Sequence, residues 1–206
     1  RVGIADHDAG LIEAARLMVS VADRFKGNNN FEYDLVDIVR QGKALYVGIS
    51  KYPKEAAEFA YKYLAERDVH CLLYQGKYNL FNREPEEEGI LRQAKENGTG
   101  FIAFSPLAQG LLTNRYLNGI PEDSRMARGG FLKKEQLTED VLSKIKALNK
   151  MAEERGQTLA EMALAWVLKD DLVTSVIIGA SSVAQLEDNL KAIRNTSFTK
   201  EELRRL

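Results

Sequence analysis

Near the C-terminal end, the stretch Val173-Thr-Ser-Val-Ile-Ile-Gly-Ala-Ser-Ser-Val-Ala-Gln-Leu-Glu-Asp-Asn189 reads as strand, turn and helix. The β-branched, apolar run over 173–178 is too short for a helix and too apolar for an exposed strand, so it predicts a buried one. Gly179 breaks it. Ser181 and Ser182 are good helix caps, and Val183, Leu186, Leu190 and Ile193 follow at helical spacing. A strand that feeds a Ser-capped helix leaves backbone N–H groups at the positive end of the helix dipole, where phosphates bind. The same pattern also describes any strand-helix unit of an α/β fold, and the stretch alone leaves both readings open.

Upstream, the same alternation repeats. Strands are predicted over 44–50, 70–74, 100–104 and 174–178. Helices are predicted over 53–67, 84–97, 138–155, 159–169 and 182–193, with a long connection over 109–132. Pro53 suits a first helical turn, and Thr158 with Glu161 three residues later forms a capping-box signature. Trp166 shares an apolar face with Leu159, Met162 and Ala163, which makes it a core residue rather than a ligand-stacking one. Alternating strands and helices imply a parallel sheet with right-handed crossovers.

The N-terminal part differs. An amphipathic pattern (Leu11, Ile12, Ala15, Met18, Val19, Ala22, Phe25) predicts one helix within residues 1–26. A polar turn over 27–30 follows, then a second helix over 33–41 stopped by Gly42.

The 206 residues, 45% hydrophobic and 29% charged, suit one globular core. The net charge of −1 with scattered basic residues argues against a nucleic-acid or acidic-membrane partner. The apolar runs are too short to span a bilayer, and the start lacks a signal-peptide pattern, so a cytoplasmic protein is expected. The single cysteine, Cys71, lies in a strand-like run and reads as a small buried hydrophobe. The two histidines, His7 and His70, have no neighbours at zinc-like spacing, and no metal site is expected.

Four segments carry more specific information: Gly-Lys-Ala-Leu-Tyr-Val-Gly-Ile-Ser (42–50), Phe-Ser-Pro-Leu-Ala-Gln-Gly (104–110), Asn-Gly-Ile-Pro-Glu-Asp-Ser-Arg (118–125) and Ile-Gly-Ala-Ser (178–181). Their order and spacing resemble the cofactor-binding half of the aldo-keto reductases, in particular the branch containing the voltage-gated potassium channel β-subunits and their bacterial relatives. The resemblance covers residues 34–206 and leaves 1–33 as an unassigned helical segment. It implies an α/β fold made of parallel βα units of a (β/α)8 TIM-type barrel. About four strands, the C-terminal half, would be present beside an unrelated helical N-terminus. An open half-barrel leaves sheet edges and a barrel-facing surface to cover, so a homo-oligomer or a complementary half-barrel chain is the expected partner.

The resemblance further implies NADP(H) as cofactor and carbonyl reduction as the reaction. Ser50 and Gln75 match residues that bind the nicotinamide carboxamide. Lys51 stands where the family usually has Asn and departs from that pattern with a longer, charged side chain. Phe104 matches the aromatic that stacks on the nicotinamide, or is a core aromatic at a strand end. Ser105, Leu107, Gln109 and Gly110 match the pyrophosphate loop. Arg115 and Arg125 match basic positions near the phosphates, with surface ion pairing as the alternative. Gly179, Ser181, Gln185, Asp188 and Asn189 match the adenosine end, with Asp188 where Glu is common.

The family's catalytic Asp, Tyr, Lys and His motifs are not found, so no residue of the chain is assigned as catalytic. Tyr46, Tyr52, Tyr74, Tyr78 and Tyr116 offer no replacement acid. Lys77 beside Tyr78 is weak evidence for a pair, because strand neighbours point to opposite faces. The chain is therefore expected to be inactive alone. Its alternatives are a non-catalytic NADP(H)-binding or interaction module and a truncated, non-functional product.

Overall fold

The computed structural model describes residues 31–117, 119–122 and 134–206. The helix expected within 1–26 and the turn over 27–30 lie outside them. The described chain divides into two compact units, one built from residues up to 77 with 83–104 and 171–177, the other from 78–82, 105–170 and 178–206.

The first unit holds α1 (Phe31–Arg40), β1 (Val47–Ser50), α2 (Lys54–Ala65), β2 (Cys71–Lys77), α3 (Glu84–Glu87), α4 (Ile90–Glu96), β3 (Gly100–Phe104) and β4 (Ser175–Val176). The strands form one parallel sheet in the order β1-β2-β3-β4. Along β1 and β3 buried residues alternate with more exposed ones, and β2 does so from Leu73 onward. Ile49, Tyr74, Phe101, Ala103 and Val176 form the buried face, against which α2 meets β2 and α4 meets β3. Tyr74 and Phe101 are register partners whose rings stack with centroids 5.4 Å apart. The Tyr74 hydroxyl donates to the Tyr52 carbonyl at 2.6 Å, so this phenol is satisfied without water. Burial of a ring the size of Phe101 contributes about 2–3 kcal/mol.

Helix ends follow the turn chemistry of the sequence. At Gly42 (φ +68°) the amides of Gly42 and Lys43 donate back to Val39 and Ile38, the double bond of a left-handed helix stop. Several expected boundaries shift. The helix over 84–97 is broken at Gly89, whose φ of +78° no right-handed helix accommodates. β1 begins only at Val47, because Leu45 and Tyr46 are exposed and unpaired by the sheet. β2 runs past 74 to Lys77, since Lys77 still finds Phe104 as its partner on β3.

The second unit is helical: α5 (Glu139–Glu154), α6 (Leu159–Val167), α7 (Val183–Leu190) and α8 (Lys200–Arg205), with 3-10 turns at Ala108–Gly110, Asn114–Tyr116, Lys134–Gln136 and Lys191–Arg194. α6 is its centre. Leu159 and every residue from Met162 through Val167 are buried, and the helix packs on α5, α7 and the turn at Lys191–Arg194. Thr158 and Glu161 make the expected capping box. Trp166 is buried, with the Tyr78 ring tilted against it at 5.0 Å between centroids and the Lys169 ammonium 4.2 Å from its ring centroid.

Candidate functional site

β2 and β3 end together at Lys77 and Phe104, β1 ends two residues earlier in register, and Ser50, Gln75 and Ile102 are successive register partners. Because side chains alternate along a strand, Phe104 lies on the same face as Ile102. Ser50, Gln75 and Phe104 thus stand at the C-terminal strand ends on the face opposite the helices, each half-buried. A hydroxyl, a primary amide and an aromatic ring are thereby brought to one rim, the end of a parallel strand at which barrel sites are built.

Lys51 follows directly. Its backbone is left-handed (φ +58°) and its amide donates to the Gln75 carbonyl at 3.0 Å, which turns the chain as β1 ends. The side chain reaches over Phe104, with Nζ 5.1 Å from the ring centroid. The sequence reading found Lys51 as a departure but not this contact, which joins residues 53 apart in the chain.

In the second unit, the loop containing Ser105, Leu107, Gln109 and Gly110 is bent by left-handed backbone at Ser105 (+52°), Ala108 (+47°), Gln109 (+61°) and Gly110 (+102°). Such geometry in a non-glycine L-residue costs about 1–2 kcal/mol, and it persists where the surroundings enforce it. Asn79 is one enforcer. It is fully buried, its Nδ2 donates to the Ser105 carbonyl at 2.9 Å, and its Oδ1 accepts from the amides of Phe81 and Asn82. Sequence reasoning missed it, although an Asn that opens a tight turn was a visible signal. Within the loop the amides of Ala108, Gly110, Leu111 and Leu112 donate to the loop's own carbonyls. Arg115 is exposed in the following turn, and Arg125 lies outside the described residues.

Gly179 is exposed ahead of α7, and Ser182 caps that helix by accepting from the Gln185 amide. Gln185 Oε1 accepts from both the amide (2.7 Å) and the hydroxyl (2.9 Å) of Ser181, so these two residues are held together. Asp188 binds Lys191 at 2.6 Å. Asn189 is buried and its Nδ2 has no hydrogen-bond partner, a donor whose isolation costs about 1–3 kcal/mol.

A phenol beside a lysine does occur: Lys169 Nζ donates to the Tyr78 hydroxyl at 2.8 Å. Tyr78 is fully buried, however, and the pair packs into the Trp166 cluster. Tyr52, Tyr74 and Tyr116 are buried too, and burial pushes the Tyr74 phenol above its ordinary value. Among the described residues, no group of three or more metal-ligating side chains gathers, and no helix is long and apolar enough to cross a membrane.

Parallel strands with helices on one face and polar groups collected at their C-terminal ends define the barrel class of α/β proteins. Within that class the chain belongs to the aldo/keto reductase family, an oxidoreductase family whose sequence profile matches residues 33–206. Over 173 residues it is 51% identical to the L-glyceraldehyde 3-phosphate reductases of Escherichia coli O157:H7 and strain K12, covering 82% of this chain and 50% of theirs. It is 36% identical over 160 residues to a probable voltage-gated potassium channel subunit beta of Arabidopsis thaliana, covering 76% of this chain and 49% of that protein. Among solved structures, a thermostable aldo-keto reductase crystallised with the inhibitor epalrestat matches with a TM-score of 0.60 and 25% identity, over 84% of this chain and 52% of its own. The chain thus spans about half the length of the curated relatives it matches.

Proposed function

We propose that the chain carries the NADP(H)-binding part of a carbonyl-reducing enzyme. The observation that carries this reading is the gathering of Ser50, Gln75 and Phe104 on one sheet face at adjacent strand ends. A primary carboxamide both donates and accepts, and the Gln75 amide and Ser50 hydroxyl complement it; the Phe104 ring offers an apolar platform of nicotinamide size. The buried, unpartnered Nδ2 of Asn189 gives the adenosine end a donor with unused capacity. Gln185, whose Oε1 is already engaged by Ser181, keeps its Nε2 as a donor for a 2′-phosphate.

When bound, the cofactor supplies hydride. These residues hold and orient it; Tyr52, Tyr74, Tyr78 and Tyr116 are too buried to pass a proton to a substrate, and Tyr46, though exposed, precedes β1 at the N-terminal end of the strand, away from Ser50. General acid–base help is worth on the order of 10² to 10⁴ in rate, so the isolated chain should reduce carbonyls negligibly. For the complete enzyme, the relatives at 51% identity point to a small phosphorylated aldehyde as substrate class. The second reading is a cofactor-binding or interaction module without chemistry of its own.

Fluorescence titration with NADPH, then an absorbance assay with L-glyceraldehyde 3-phosphate, tests these readings. Saturable binding that Phe104→Ala weakens about tenfold, the loss of about 1.4 kcal/mol of stacking, is expected. Absence of binding contradicts the cofactor reading; turnover at an ordinary enzymatic rate contradicts the expected inactivity.

A further inference from the structure

Lys51 is the one described site residue with a cationic side chain lying on the proposed nicotinamide platform. Its place there is built rather than incidental. A left-handed backbone at φ +58°, which β-strand ends do not require, directs the residue, and the hydrogen bond to the Gln75 carbonyl fixes that turn. The ammonium then stands 5.1 Å from the Phe104 centroid, inside the range of a cation–π contact.

We propose that Lys51 makes the site selective for the reduced form of its cofactor, an inference that rests on the nicotinamide reading of Phe104 given above. The physical difference between the two forms is charge: the oxidised nicotinamide ring is a cation and the reduced ring is neutral. A fixed ammonium beside the ring repels only the first. The ammonium lies 5.1 Å from the Phe104 centroid, so a nicotinamide stacked on that ring would come within about 4–6 Å of the charge. With an effective dielectric between the protein-surface and bulk-water values, the repulsion disfavours the oxidised form by roughly three- to tenfold or more. Because Lys51 is exposed, the lower part of this range applies. The dinucleotide phosphates are common to both forms, so an attraction of Lys51 for them strengthens both equally and leaves their ratio unchanged. A residue selective for the reduced form favours loading with reductant and release after hydride transfer, the direction that suits a reductase.

The test is the ratio of the NADPH and NADP+ dissociation constants, measured by calorimetry on the whole chain and on Lys51→Gln and Lys51→Arg, with circular dichroism to confirm folding. The chain and Lys51→Arg should prefer NADPH by about threefold or more. Lys51→Gln should lose that preference, the ratio of the two constants moving toward one, and 0.5 M salt should shrink the ratio only in the charged variants. If Lys51→Gln shifts both affinities equally, or neither, the selectivity role is overturned while NADPH binding still stands. If the unmodified chain binds neither dinucleotide, the cofactor reading itself is overturned, and this role with it.

Discussion

At the scale of single residues, the sheet depends on positions where a side chain has no room. A Cβ added at Gly48 would lie 2.8 Å from the Leu73 carbonyl oxygen on the neighbouring strand, a backbone atom that cannot move aside without breaking the β1-β2 register. Gly48→Ala should therefore cost about 1–3 kcal/mol in urea denaturation; an unchanged midpoint would contradict the close strand approach. Nothing local in the sequence marks Gly48 as different from a turn glycine, because the constraint comes from a strand more than twenty residues away. Cys71 was legible: it is buried as its strand-like setting implied, and burial pushes its thiol up to about 11. Lys51 was legible only as an unusual residue at its position. Its place over Phe104 depends on the strand order, which no local pattern specifies.

At the scale of elements, helix punctuation was the most readable feature. The Thr158 and Glu161 capping box and the Gly42 stop formed as local chemistry dictates, since both involve groups within a few residues. The same signature at Thr199 and Glu202 opens α8, which the sequence reading passed over. There Glu202 also meets the Arg155 guanidinium, which is almost fully buried, lies over Phe198 and donates to the Ser197 carbonyl. The Thr199 amide first, and Arg155 next, hold the Glu202 carboxyl below its ordinary range. A carboxylate whose folded pKa is depressed adds stability above its unfolded value, about 4.3, and loses it as pH falls through the folded one. Glu202→Gln should thus lower Tm at pH 7, with the difference from the parent closing below about pH 4. A difference that stays constant from pH 7 to pH 3 would contradict the charged contact. Where elements broke against expectation, as at Gly89, a glycine adopted its left-handed option inside an otherwise helical pattern.

At the scale of the whole chain, alternation of strand and helix was enough to imply the parallel sheet, and each strand was found because its apolar run has nowhere else to go. Strand lengths were less legible, because pairing decides them: β4 is reduced to Ser175–Val176, with β3 as its one partner strand among the described residues. The face opposite the helices leaves Ile177 45% exposed and Ile102 and Phe104 only half-buried. An apolar face left accessible in this way should bind a hydrophobic dye such as anilinonaphthalene sulfonate. Dye fluorescence that falls as protein concentration rises would report self-association through that face, and no dye binding at any concentration would contradict its accessibility. The central claim is that Ser50, Gln75 and Phe104 hold the nicotinamide end of a dinucleotide, and hydrogen exchange with and without saturating NADPH tests it most directly. Slower exchange at the ends of β1, β2 and β3 is the expected result. Exchange that NADPH leaves unchanged in all of these segments would contradict it.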